Sequence, residues 1–77
     1  MDAKKLIVLF GKRVRSLRLL RGLTQQQLSE RSNISIEYLS KIERGQASPS
    51  FGTIARLCSG LEVDADQLFN FKDLRTD

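Results

Sequence analysis

Histidine is absent from this sequence, and cysteine and proline occur once each. Without histidine the chain lacks both the commonest general acid–base side chain and the commonest metal ligand. A single cysteine, Cys58, can close no internal disulfide and build no zinc site, which suits a reducing cytosol. Long apolar runs are missing too. Lys4-Lys5 followed by Leu6-Ile7-Val8-Leu9-Phe10 faintly resembles a secretory leader, but the run stops at five residues and Lys12-Arg13 closes it, where a leader needs about 7–15. No stretch approaches a membrane span, and no window alternates apolar and polar residues long enough for a strand. Clustered carboxylates and glycine-rich phosphate loops are also lacking, which argues against nuclease or phosphotransferase chemistry. The expectation is a cytoplasmic protein that is not an enzyme and uses no cofactor or metal.

What is present fits one small soluble domain over residues 1–77, with 40% hydrophobic and 29% charged residues. A core this modest stabilises a fold only marginally, so a compact helical bundle or an oligomer is expected. Charge is unevenly placed. Residues 1–56 carry eleven Lys/Arg against four Asp/Glu, or +7, and residues 57–77 carry two against five, or −3, giving the net +4. A basic front suits a phosphate-rich partner, although many domains with a basic face bind no nucleic acid.

Caps and periodicity predict five helices. The first runs from about Leu6 to Arg21, with Leu6, Phe10, Val14 and Leu17 on one face, and Gly22 closes it. Thr24-Gln25-Gln26-Gln27 reads as a capping box opening a second helix to about Ser32, anchored by Leu28. Asn33 tolerates the left-handed backbone of a sharp turn. Ser35 caps a third helix through Arg44, with Leu39 and Ile42 on one face and Gly45 after it. Ser50 caps a fourth to about Gly60, with Ile54, Leu57, Cys58 and Leu61 inward, and Asp64 with Gln67 caps a short fifth carrying Leu68 and Phe69. The fold class is therefore all-α: a compact five-helix bundle joined by short loops.

Between about residues 25 and 45, two short helices and an asparagine-centred turn carry Leu28, Ile34, Leu39 and Ile42 at helix-turn-helix spacing. Leu23-Thr24-Gln25-Gln26-Gln27-Leu28-Ser29, Tyr38-Leu39-Ser40-Lys41-Ile42-Glu43-Arg44-Gly45, Ser48-Pro49-Ser50 and Thr53-Ile54 together resemble the phage-repressor/Cro family, the xenobiotic-response-element-type regulators. The resemblance covers about residues 9–70 and extends to small stand-alone members such as restriction–modification controller proteins. It implies a lambda-repressor-like bundle that binds double-stranded DNA at a palindromic operator as a homodimer. Asn33 stands where the family usually has glycine, and Ser29 where it usually has alanine.

The same resemblance assigns roles. The third helix would be the recognition helix, with Ser35, Ile36, Glu37 and Lys41 reading bases. Lysine can donate to guanine, glutamate can accept from cytosine, and isoleucine can meet a thymine methyl. Thr24, Gln25, Tyr38 and Arg44 would hold the phosphate backbone, and Arg18 would pair with Glu43 inside the bundle. Each role has a plainer alternative. Ile36 could be packing, Glu37 could cap its helix, and Lys41 could meet a phosphate. Lys12, Arg13 and Arg15 read as a solvated face, Cys58 as core and Phe51 as a bundle contact. Phe69 and Phe71, in a segment of about residues 61–72, are the expected dimer interface, because so small a domain hardly buries every ring at its end. With no separate effector domain visible, no small-molecule effector is expected. The rival function is an antitoxin or other protein-interaction module on the same fold.

Overall fold

The structure is a computed structural model that describes residues 1–74. Helix α1 spans Ala3–Leu20, α2 Gln25–Ser32, α3 Ile36–Glu43, α4 Phe51–Leu61 and α5 Ala65–Leu68, and a 3-10 turn follows at Lys72–Leu74. Each helix starts where a short polar side chain catches an otherwise orphaned amide. Asp2 accepts from Lys5, Ser35 from Tyr38 and Ser50 from Thr53, while Thr24 and Asp64 form reciprocal capping boxes with Gln27 and Gln67. The first helix thus begins three residues before the periodicity suggested. Asp2 was the missed signal.

Left-handed residues end the inner helices. Asn33, at φ 54°, makes the turn between α2 and α3. Glu62, at φ 57°, ends α4 and was not foreseen, because glutamate has no particular liking for that backbone. Arg21 supports this corner by donating from Nε to the Leu61 carbonyl at 2.7 Å and from Nη2 to that of Glu62 at 3.1 Å. The end of α1 is thereby tied to the last carbonyls of α4, where a cation is also favoured by the helix dipole.

The core joins Phe10, Val14 and Leu17 of α1, Leu28 of α2, Leu39 and Ile42 of α3, Leu57 and Leu61 of α4 and Leu68 of α5. Two glycines let helices pack closely. A Cβ on Gly11 would strike the Ile42 carbonyl oxygen, so α1 crosses α3 at that point. A Cβ on Gly60 would strike Ser32 Oγ, so there the bare backbone of α4 rests on side chains of α2. Gly60 is therefore a packing residue within α4, not its terminus.

Three sequence expectations need correction. Leu6 stays 38% exposed, because the first turn of α1 projects beyond the bundle. Phe51 is 89% exposed and is no bundle contact: at the first position of α4 it points into solvent. Arg13 is not simply solvated but donates from Nε to the Gln67 carbonyl at 2.8 Å, fastening α1 to α5. Cys58 is half-buried against the core, and burial, with Asp64 nearby, pushes its thiol pKa up. The described residues contain no helix long and apolar enough to cross a membrane.

Candidate nucleic-acid interface

Helices α2 and α3 form a rigid corner whose outer side is free. Leu28, Leu39 and Ile42 are fully buried within it, and Ile34 packs against them from the turn. Since Leu39 and Ile42 claim one face of α3, residues 37, 40, 41 and 44 must lie on the other. Gln25, Ile36, Glu37, Ser40, Lys41 and Arg44 line one shallow depression there. Ser40 was missed by the sequence reading. Its signal was available, because 36, 40 and 44 form one i, i+4, i+8 row along the helix.

Beneath this surface lies the buried pair of Arg18 and Glu43. Arg18 Nε donates to Glu43 Oε2 at 2.8 Å and Nη2 to Oε1 at 3.0 Å, with both residues 8% exposed. Nη1 donates to the Leu23 carbonyl at 2.9 Å, and Gln25 Nε2 donates to Glu43 Oε1 at 3.1 Å. One carboxylate therefore receives donors from α1 and α2 while anchored on α3. Planar guanidinium and carboxylate met edge to edge fix orientation as well as distance. The pair sets the angle at which α3 stands out from the bundle.

The sequence-predicted residues fall into distinct environments. Ser35 is exposed at the N-cap of α3, its Oγ accepting from the Tyr38 amide at 3.1 Å with the hydroxyl proton still free to donate. Ile36 is half-buried, and Glu37, Lys41 and Arg44 are exposed. Thr24 is exposed at the N-cap of α2 with its hydroxyl proton likewise available, and the first two amides of that helix have no intrahelical partner. Gln25 is already committed through one amide proton to Glu43, which leaves the other for an outside acceptor. Tyr38 is half-buried and leans toward α4, its hydroxyl 3.5 Å from Thr53 Oγ1. Phe69 and Phe71 lie away from this surface. Phe69 is 38% exposed, with its ring 5.2 Å from that of Phe10 and 6.0 Å from that of Phe71. Phe71 is half-buried against the core. Among the described residues, no group of three Asp, Glu or Cys side chains is placed to hold a metal ion.

A small helical bundle with a braced two-helix corner and an unobstructed second helix defines a helix-turn-helix protein. The helix-turn-helix family profile matches residues 14–68, and the chain belongs to that family. Among relatives, an immunity repressor protein of Bacillus phage phi105 is 36% identical over 58 residues, covering 75% of this chain and 40% of the repressor. The chain thus spans about two-fifths of that relative's length. Among solved structures, the restriction–modification controller protein C.AhdI from Aeromonas hydrophila superposes with a TM-score of 0.79 at 35% identity, covering 80% of this chain and 94% of that one. A second controller protein, C.Esp1396I, solved as a tetramer with its natural 35-base-pair operator, gives a TM-score of 0.78 at 30% identity over 83% of this chain and 84% of that one.

Proposed function

We propose that this chain is a sequence-specific transcription regulator of the cytoplasm that binds a palindromic operator as a homodimer, with α3 in the major groove. The observation that carries this reading is the outer strip of α3, where Ile36, Glu37, Ser40, Lys41 and Arg44 share one surface with Gln25 of α2. Ser35, Ile36, Glu37 and Lys41 read base edges: Lys41 donates to guanine O6 and N7, Glu37 accepts from cytosine N4, and Ile36 meets a thymine methyl. Thr24, Gln25, Tyr38 and Arg44 hold phosphates and set the register, with the free amides at the start of α2 adding donors. The operator-bound state of C.Esp1396I and the repressor activity named for the phage relative support the reading. Dimerisation follows from need. One short helix reads only a few base pairs, and a two-fold pair reads two half-sites about 34–36 Å apart. Phe69 and Phe71, at the end of the chain away from α3, belong to the dimer surface in this reading.

Selection of bound sequences from random duplex DNA tests it directly. The expected product is a single symmetric motif whose half-sites lie about one helical turn apart. Recovery of unselected sequence would defeat the proposal.

A further inference from the structure

A recess of about 310 Å³ lies between α2 and α4 and shares no residue with the α3 strip. Arg31, Ser32 and Asn33 line it from the end of α2, and Ala55, Arg56 and Ser59 from α4. We propose that this recess binds a small phosphorylated molecule by its terminal phosphate, held between Arg31 and Arg56. The site is distinct from the DNA surface and needs neither DNA nor a second copy of the chain. Nothing in the sequence pointed to it, because the two arginines belong to separate helices that only the tertiary fold brings together.

The donors are the first observation. Both arginines are exposed, and Arg56 has no ion-pair partner among the described residues. Arg31 reaches only Glu62, at 3.7 Å and with both side chains well in water, a contact weak enough to give up. Each guanidinium is a rigid fork that matches phosphate oxygens two at a time. Ser59 and Asn33 add a hydroxyl and an amide. No carboxylate lines this recess, whereas Glu37 lines the depression on α3.

Ser32 is the second observation. It lines the same recess but is only 2% exposed, and its Oγ has no hydrogen-bond partner among the described residues. Buried hydroxyls nearly always find a partner. A phosphate oxygen seated between the arginines supplies an acceptor for this one.

Charge and size select the ligand class. A carboxylate has two oxygens and one charge, for which a single guanidinium suffices. A phosphomonoester carries about −1.5 to −2 at neutral pH on three acceptor oxygens, which calls for two cations and further donors. A phosphodiester of DNA has one charge and two free oxygens and uses the set less fully. The recess has about twice the ~150 Å³ that holds a benzene molecule, so the group bearing the phosphate fits as well.

Titration of the full chain with methyl phosphate, followed by amide nuclear magnetic resonance, tests the site. Dimethyl phosphate and sodium chloride at matched ionic strength are the comparisons. Methyl phosphate should shift the Asn33 and Ser59 amides saturably, and dimethyl phosphate should bind about tenfold or more weakly. Arg31→Gln and Arg56→Gln should each raise the Kd for methyl phosphate about tenfold or more, as for one charge-assisted hydrogen bond lost. Both should melt close to the parent, because the side chains they replace lie in water. Ser32→Ala should bind about threefold more weakly while melting higher, opposite signs that a purely structural role would not produce. Shifts no larger than those from sodium chloride overturn the proposal, as does a double arginine variant that binds methyl phosphate like the parent. Equal binding of the two phosphates, with a DNA salt slope reduced by about two in the double variant, assigns the recess to the DNA backbone and overturns it too.

Discussion

Arg18 and Glu43 stand 25 residues apart in the chain and meet through two parallel hydrogen bonds inside the crossing of α1 and α3. Both charges are largely withdrawn from water, so each depends on the other for most of its compensation. Arg18→Met or Glu43→Met should each cost about 3–5 kcal/mol by leaving one buried charge alone. Against the ~5–15 kcal/mol typical of a domain, that is enough to leave either variant barely folded. The double variant should recover a good part of the loss. Urea unfolding of all four proteins measures it, and single variants as stable as the parent would show that the pair contributes little.

Ser32 Oγ is buried facing Gly60 and has no hydrogen-bond partner among the described residues. A buried, unsatisfied hydroxyl is a net burden of roughly 1–3 kcal/mol. Ser32→Ala should therefore raise the melting temperature, by several degrees in a chain of this size at about 4–8 °C per kcal/mol. Gly60→Ala alone should lower it despite the better helix propensity of alanine. Its Cβ would run into Ser32 Oγ and come within 3.2 Å of Leu28 Cδ1. Combining the two should give back part of the Gly60→Ala loss. Strictly additive melting shifts would mean that the two sites do not touch in solution.

Glu62 holds a left-handed backbone at φ 57°. Glycine adopts that conformation freely, while other L-residues lose roughly 1 kcal/mol there. Glu62→Gly should stabilise the domain by about that amount. Its exposed contact with Arg31, at 3.7 Å, is worth little. Thermal melts decide the matter, and a destabilised variant would point to a larger role for that contact.

Lys41 and Gln25 should fail differently. Lys41 is exposed. Lys41→Ala should leave the melting curve alone, weaken cognate DNA by about 1–3 kcal/mol and relax one base position. Gln25→Ala should weaken cognate and random DNA by similar factors. It should also lower stability by about 1 kcal/mol, because Gln25 donates to buried Glu43. Binding titrations on both DNAs, beside melts of both variants, separate the two behaviours. Unchanged selected sequence and affinity for Lys41→Ala would remove it from the base-reading set.

The helix starts at Thr24, Ser35, Ser50 and Asp64, and the turn at Asn33, were legible in the sequence. Each rests on a hydrogen bond or dihedral confined to about three neighbouring residues. The helix-turn-helix and the partnership of Arg18 with Glu43 were legible too, through the resemblance to a known family. The sequence by itself thus determined the five helices, their order, and which side of α3 had to face outward. Only the tertiary structure decided what those helices meet. The close approaches at Gly11 and Gly60, the anchoring of Arg13 and Arg21 on distant carbonyls, and the commitment of Gln25 to Glu43 all depend on where helices cross. The exposure of Leu6 and Phe51 has the same origin. An apolar residue is buried only if another element arrives over it, and periodicity along one helix carries no information about where its neighbours end.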